Sequence, residues 1–298
     1  MPSTQDPLVQ RRLLRGELRR AREAAGYTQR EAAQAMDWSL SKLIRIENGS
    51  VGITTNDLRQ FLLYLNITDD AEVERLVKLS RASRAPASFD KYDDVLTNGF
   101  REYLAYETSA SIIRQFELSF VPGLLQTEEY ARAVLKYTFG RTPKEIDRIW
   151  DSRAERQQLH DVEKPPQMFF ILDESCLRRR VGGSKPVMRR QLERLKDYAN
   201  ASHVTLQILP FSLGAHEGMA GPFAILEFAD TRLDTLVHLE GAGDATLSED
   251  LRATSRYVER FWSLEQFATP PEAAESALDR ITDDMTAEGI LAPLHDTQ

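Results

Sequence analysis

Cysteine is almost absent. Cys176 is the only one in 298 residues, which excludes an intrachain disulfide framework and a Cys-rich zinc site and leaves the thiol as a small buried hydrophobe rather than a reactive group. Long apolar runs are missing as well. No stretch approaches the roughly 20 residues needed to span a bilayer, and the opening MPSTQDPLVQ lacks the charged-then-apolar pattern of an export signal. A cytoplasmic protein without a membrane partner is expected. Positive charge is scarce, with 38 Lys and Arg against 46 Asp and Glu, a net of −8. The shortage is uneven: residues 1–85 hold 14 basic against 11 acidic residues, a net of +3, and the remainder 24 against 35, a net of −11. A basic excess confined to one end is the distribution that phosphate binding asks for. Much of it comes from Arg11, Arg12, Arg15, Arg19, Arg20 and Arg22 on the first predicted helix, where some can face phosphates and others form a solvated face.

The informative stretch is residues 28–49, TQREAAQAMDWSLSKLIRIENG, which reads as two short helices joined by a tight turn. Thr28 and Glu31 form a capping box that opens the first, with Ala32, Ala33 and Met36 facing inward. That helix stops near Asp37, Ser39 caps the second, and Asn48-Gly49 ends it. Trp38, Leu43 and Ile46 make one apolar face, and Ser39, Ser41, Lys42 and Arg45 point the other way. A recognition helix needs this division, because apolar residues dock it on its partner while short and basic side chains reach base edges and phosphates. Leu40 fits as an apolar contact to a thymine methyl group. The competing reading is an ordinary helical hairpin with a solvated polar face.

Residues 13–49, LLRGELRRAREAAGYTQREAAQAMDWSLSKLIRIENG, resemble the helix-turn-helix of the Xre family, which includes the phage repressors. In that family TQxxxA opens the second helix and RIExG closes the third. The resemblance implies that Gln29 touches the DNA backbone and orients the unit, and that Ser39, Ser41, Lys42 and Arg45 hold the base-reading and phosphate-contacting positions. Glu47 is implied to tie the third helix to a neighbour. Ile44 departs from the family, where a small polar residue is common, and receives no DNA role.

The chain has room for two domains of ordinary size. Around the motif, helical periodicity predicts a first helix over residues 8–25, a fourth from Thr54 or Thr55 with Leu58, Phe61, Leu62 and Leu65 inward, and a fifth over 69–82. These five helices predict a compact all-α domain at 1–85, which the resemblance implies is lambda-repressor-like and DNA-binding. Pro86 and its small polar neighbours mark a linker at 86–99. A second, α+β domain with a small sheet follows at 100–290, giving an α+β fold overall. Its expected elements are a helix over 93–109, the extended piece SIIRQFELSF, a helix capped by Thr127, one following Pro143, strands in MFFILDE, HVTLQILPF, GPFAILEF and DTLVHLE, a helix capped by Ser184, and closing helices over 248–267 and 271–286.

The blocks VPGLLQTEEYARAVL, SRAERQQ, LDESCLRRRVGG, VMRRQLERL, VTLQILPF, GPFAILEF and HLE resemble, in this order, the C-terminal domain of bacterial Xre-type regulators described as antitoxin-like. Members are typically encoded beside a small partner protein, which implies a regulator and antiregulator pair with roles in development and secondary metabolism.

Chemistry in this half is not expected. Asp173, Glu174, His216, Glu217 and Glu240 lie at strand ends or beside a glycine, but paired carboxylates need their pKa values driven apart, and one His beside one Glu supplies too few ligands for a metal. The chain lacks a Walker-type phosphate loop, His-Glu-x-x-His and a nucleophile elbow. Neither a metal, a cofactor nor catalytic residues are expected, and VPGLLQT reads as a rigid turn that positions a helix rather than a ligand contact. As a binding module the domain could enclose a small molecule, with Arg153, Arg156 or Glu174 as the convergent polar groups, or form a dimer face or a groove for a partner protein. The reading is a transcriptional regulator that binds double-stranded DNA as a homodimer and is gated through its second domain. A small protein from an adjacent gene is the first candidate for the gating partner, a small molecule the second, and an enzyme fused to a DNA-binding domain a distant third.

Overall fold

A computed structural model of the chain describes residues 6–183, 185–240 and 246–289, the side chains of 183 and 185 excepted. The chain divides into two compact units, Met1–Lys91 with Phe228–Asp234 and Tyr92–Glu227 with Thr235–Gln298. Grouping of 228–234 with the first unit is something no local pattern foretold. The segment expected as a linker is partly folded: Phe89 is buried within the first unit and Tyr92 within the second. The expected Ser184 cap and the expected domain end at residue 290 lie outside the described residues.

Described helices of the first unit are α1 (Pro7–Ala24), α2 (Gln29–Ala35), α3 (Leu40–Glu47), α4 (Thr55–Tyr64) and α5 (Asp70–Ala82). Each is opened by a side chain that accepts from an otherwise unpaired backbone N–H: Asp6, Thr28, Ser39, Thr54 and Asp69. The capping box at Thr28 and Glu31 is complete. Gly26 and Gly49 take φ of 79° and 82° where α1 and α3 end, a conformation open to glycine at little steric cost. Asp37, between α2 and α3, takes φ of 54°, which stops the helix where the sequence places its end. Val9, Leu18, Leu43, Leu58, Phe61, Leu62 and Val77 fill the core. Met36, expected inward, is the C-cap of α2 and only half-buried.

The second unit contains α6 (Asn98–Glu107), β1 (Ile112–Glu117), α7 (Glu128–Tyr137), α8 (Pro143–Gln157), β2 (Gln167–Asp173), α9 (Glu174–Arg178), α10 (Lys185–Ala199), β3 (Val204–Leu209), β4 (Phe223–Glu227), β5 (Leu236–Leu239), β6 (Thr246–Ser248), α11 (Leu251–Phe267) and α12 (Ala274–Ala287). The fold is α+β, as expected. Helix α6 starts later than residue 93 because Thr97 caps it, accepting from Phe100 N–H. Strand order is β3-β2-β1-β4-β5-β6, with β1–β2 and β2–β3 parallel and the other pairs antiparallel. The short edge strand β6 was not anticipated.

Alternation along a strand sends successive side chains to opposite faces. On one face Phe116, Ile171, Phe223, Ile225 and Val237 pack with Phe261 and Leu264 of α11. On the other, pairing of Gln115 with Ala224 and of Ala224 with His238 puts two polar residues in one cross-strand row. Glu117 stands two positions further along β1 and so shares that face, and Glu240 follows β5 directly. Gln115, Glu117 and His238 are all buried. Polar groups on a buried sheet face require partners or a cavity. No helix among the described residues is long and apolar enough to cross a membrane.

Candidate nucleic-acid interface and charged cavity

In the first unit, α3 buries Leu43 and Ile46 and leaves Ser39, Ser41, Ile44 and Arg45 exposed. Leu40 is half-buried. The helix is locked by Glu47, which is buried and accepts two bonds from Arg22 of α1, at 2.6 and 2.9 Å, and one from Gln29 Nε2 at 2.8 Å. Arg22 also donates to the Tyr27 carbonyl at 2.7 Å. One buried bidentate pair thus ties α1, α2 and α3 together, and such a pair fixes orientation as well as attraction.

The side chains of four of the expected DNA contacts have partners within the unit, Ser39 among them as the cap of α3, accepting from Lys42 N–H at 3.1 Å. The Gln29 amide is held by Glu47, so its side chain orients α2 against α3. Lys42 Nζ lies 3.1 Å from Asp57 Oδ2 and 4.1 Å over the Trp38 ring. Arg45 donates to the Ser41 carbonyl, one turn back on its own helix, and is in no ion pair among the described residues. Of the six arginines on α1, Arg12 and Arg22 are buried, so part of the local basic excess serves packing. Arg12 donates to the Asp234 carbonyl at 2.9 Å, within the same unit.

In the second unit, a cavity of about 150 Å³ opens on the polar face of the sheet, lined by Tyr103 of α6, Gln115 and Glu117 of β1, Val121, Gly123 and Gln126 of the turn before α7, Arg153 and Arg156 of α8, and Glu240 after β5. Phe100, Phe120, Val134 and Phe139 complete its apolar wall. Arg153 and Arg156 are three apart on one helix, so they share a face. Arg156 is buried and grips the fully buried Glu107 with Nε and Nη2, the latter at 2.7 Å. Tyr103 donates its hydroxyl to the same carboxylate and stacks on His238 at 3.9 Å. Burial opposes the Arg156 charge, but Glu107 outweighs it and the guanidinium is raised. His238 is pushed down to about 3 by burial and by Arg156, and its buried Nε2 has no hydrogen-bond partner among the described residues.

Arg153 differs from its neighbour. It donates to Gln126 Oε1 at 2.5 Å and is in no ion pair among the described residues, and burial with repulsion from Arg156 brings it down to about 10. Across the cavity, burial and the nearby Glu240 push Glu117 up to about 8, although Gln115 Nε2 donates to it at 2.7 Å. Glu240 is exposed as a residue, yet burial of its carboxyl group raises it too, against the pull of Arg156 and Arg153. Gln115 Oε1 is buried with no hydrogen-bond partner among the described residues.

The VPGLLQT block is a cavity wall as well as a rigid turn. Gln126 Nε2 donates to the Val121 carbonyl at 2.6 Å, Gln157 Nε2 to the Gly123 and Gln126 carbonyls at 2.8 and 2.9 Å, and Gln191 Nε2 to the Leu125 carbonyl at 2.8 Å. A Cβ on Gly123 would stand 2.9 Å from Arg156 Nη1 and 3.6 Å from Arg153 Nε, so glycine there leaves room for both guanidinium groups.

The sequence-derived pair Arg153 and Arg156 therefore lines one site, and Glu174 does not join it. As the first residue of α9, Glu174 accepts from Arg178 four residues on and from Phe211 N–H at 2.8 Å. Sequence reasoning missed Tyr103, Glu107, Gln115, Glu117 and Gln126. The available signal was the pattern Gln115-Phe116-Glu117, polar residues alternating with a core aromatic on a central strand. Asp173 and His216 do meet, at 3.1 Å, with Asp173 Oδ1 capping α9 through Ser175 N–H. Ser175 Oγ donates to the Leu118 carbonyl. Cys176 is buried, donates to the Glu117 carbonyl at 3.3 Å, and burial raises its thiol. Among the described residues no group of three or more His, Cys, Asp or Glu could hold a metal ion.

Residues 13–76 match a helix-turn-helix domain and residues 100–280 match a domain of unknown function, DUF5753. No curated protein and no solved structure matches the chain. The first unit therefore carries a DNA-binding helix-turn-helix, and with more than half of its length covered by the second match, the chain belongs to the DUF5753 family.

Proposed function

We propose that the protein is a cytoplasmic, sequence-specific transcriptional regulator of the Xre type, without catalytic activity, that binds its operator as a homodimer. The observation that carries this reading is α3, a short helix docked by Leu43 and Ile46 and locked through Glu47, with Ser39, Ser41 and Arg45 left exposed. Those positions suit base edges and phosphates, Leu40 a thymine methyl. Lys42 reaches DNA by exchanging Asp57 for phosphate, and Gln29 acts from its bond to Glu47. One such helix reads too few base pairs for useful specificity, hence the two-fold operator.

The second unit receives the signal. The resemblance to antitoxin-like regulators implies a small partner protein as the input; the cavity beside Arg153 favours a small molecule. Either input acts only by binding one arrangement of the regulator better than another. The test begins with selection of bound sequences from random DNA by the full chain, followed by gel-shift titration at fixed salt. Arg45→Ala is expected to weaken binding by about tenfold or more, consistent with the roughly 1–3 kcal/mol of a base or phosphate contact, with the circular dichroism spectrum unchanged. Unchanged affinity would remove α3 from the interface.

A further inference from the structure

Among the described residues, the cavity of the second unit holds acidic and basic groups that lack a bonded counter-charge. On the α8 side, Arg156 is satisfied by Glu107, whereas Arg153 has only the neutral Gln126. On the β1 side, Glu117 has only the neutral Gln115 amide, and the Oε1 of that same buried Gln115 is bonded to nothing. Glu240 adds a second carboxyl to the lining, in no ion pair among the described residues. Glu117 and Gln115 are buried, and buried polar groups are costly unless something binds them. A single anion would relieve Arg153 and repel the two carboxyls; a single cation would do the reverse. A molecule with both charges, placed in one orientation, relieves all of them.

We propose that this cavity binds a small zwitterion of the α-amino-acid class, its carboxylate on Arg153, its ammonium toward Glu117, Glu240 and Gln115 Oε1, and its apolar body on the aromatic wall. The size agrees: about 150 Å³ is the volume of cavity that accepts a benzene ring. Phe120 and Phe139, with ring centroids 6.2 Å apart, supply the apolar contact, and Phe139 is exposed. The upward displacement of Glu117 and the downward displacement of Arg153 have the same two causes, desolvation first and then a like charge nearby, Glu240 for Glu117 and Arg156 for Arg153. An ammonium beside Glu117 returns it to its ionised form. Geometry is fixed in advance by the Gln157 and Gln191 clamps on the turn that carries Gly123 and Gln126, the preorganisation that specific small-molecule sites need.

This inference rests on the reading of the second unit as a sensor, and the test separates the two. Calorimetric titration of the full chain with L-valine, L-leucine and L-phenylalanine is followed by the same titration with the deaminated and decarboxylated analogues of the best binder, for leucine 4-methylpentanoate and 3-methylbutylamine. The expected result is a measurable affinity for at least one amino acid and about tenfold or more weaker binding of both analogues, since each loses a charge-assisted contact. Arg153→Gln should abolish the preference over the amine, and Glu240→Gln, at an exposed position, should reduce the preference over the carboxylate. If Arg153→Gln fails to fold, the analogue series on the unaltered protein decides alone. No amino acid binding tighter than about 1 mM, or an analogue binding as well as its parent, overturns the proposal. Binding with the expected profile that leaves operator affinity unchanged keeps the site and overturns the sensor reading instead.

Discussion

Glu117 carries the sharpest consequence at the scale of single residues. Its carboxyl goes from its usual 4.5 to about 8 on folding, because it is buried and near Glu240. The folded state therefore holds a proton that the unfolded chain releases, and stability falls as pH rises through the window from about 4.5 to about 8. The groups around it are Gln115, Glu240 and Arg156, and only Arg156 opposes the shift by its charge. Glu117→Gln keeps the shape and removes the titration. The variant should gain melting temperature relative to the parent at pH 8 to 9 and not at pH 4.5 to 5, read by differential scanning calorimetry across that range; an equal offset at both ends would mean that Glu117 does not titrate in this way. His238, driven down to about 3 by burial, has the opposite sign, costing stability as pH falls below 6.5.

Among the elements, the turn from Val121 to Gln126 decides whether the cavity exists. Its sequence, Val-Pro-Gly-Leu-Leu-Gln, shows a turn but not that three glutamine side chains hold it or that two arginines lean on its glycine. Gly123→Ala places a methyl 2.9 Å from a guanidinium nitrogen of Arg156, which cannot retreat without loosening its grip on Glu107. Overpacking of this sort costs about 1–3 kcal/mol. Urea denaturation should show a loss of that order, and a cost below a few tenths would mean that the arginine pair yields freely. Helix α3 contrasts with this turn. Its cap at Ser39, its apolar pair and its glycine stop are all local, so its boundaries and exposed face were legible beforehand.

On the scale of the whole molecule, the proposed homodimer predicts how DNA affinity depends on the site. Phosphate contacts supply most of the binding and make it salt-dependent, while two recognition helices one helical turn of DNA apart supply the specificity. Deleting one half-site from the selected operator should weaken binding by at least about tenfold, because a large share of the specific contacts goes with it. Equal affinity for a single half-site in the same gel-shift assay would exclude the two-fold arrangement. The modest charge of +3 on residues 1–85 makes such doubling more necessary, since Arg12 and Arg22 are taken up by packing.

What the sequence determined by itself was everything governed by neighbours along the chain. Caps at Thr28, Ser39 and Thr127, the apolar face of α3, and all but the shortest strand follow from interactions within a few residues. Arg153 and Arg156 could be singled out because they share one helix face. Tertiary structure alone decided that they meet Glu107 from α6, Gln115 and Glu117 from β1, and Gly123 from a clamped turn, and that Glu174 faces elsewhere. Which charges find partners, and which are left for a ligand, depends on strand order and register. No spacing along the chain encodes those two things, because they are fixed only when distant segments pack.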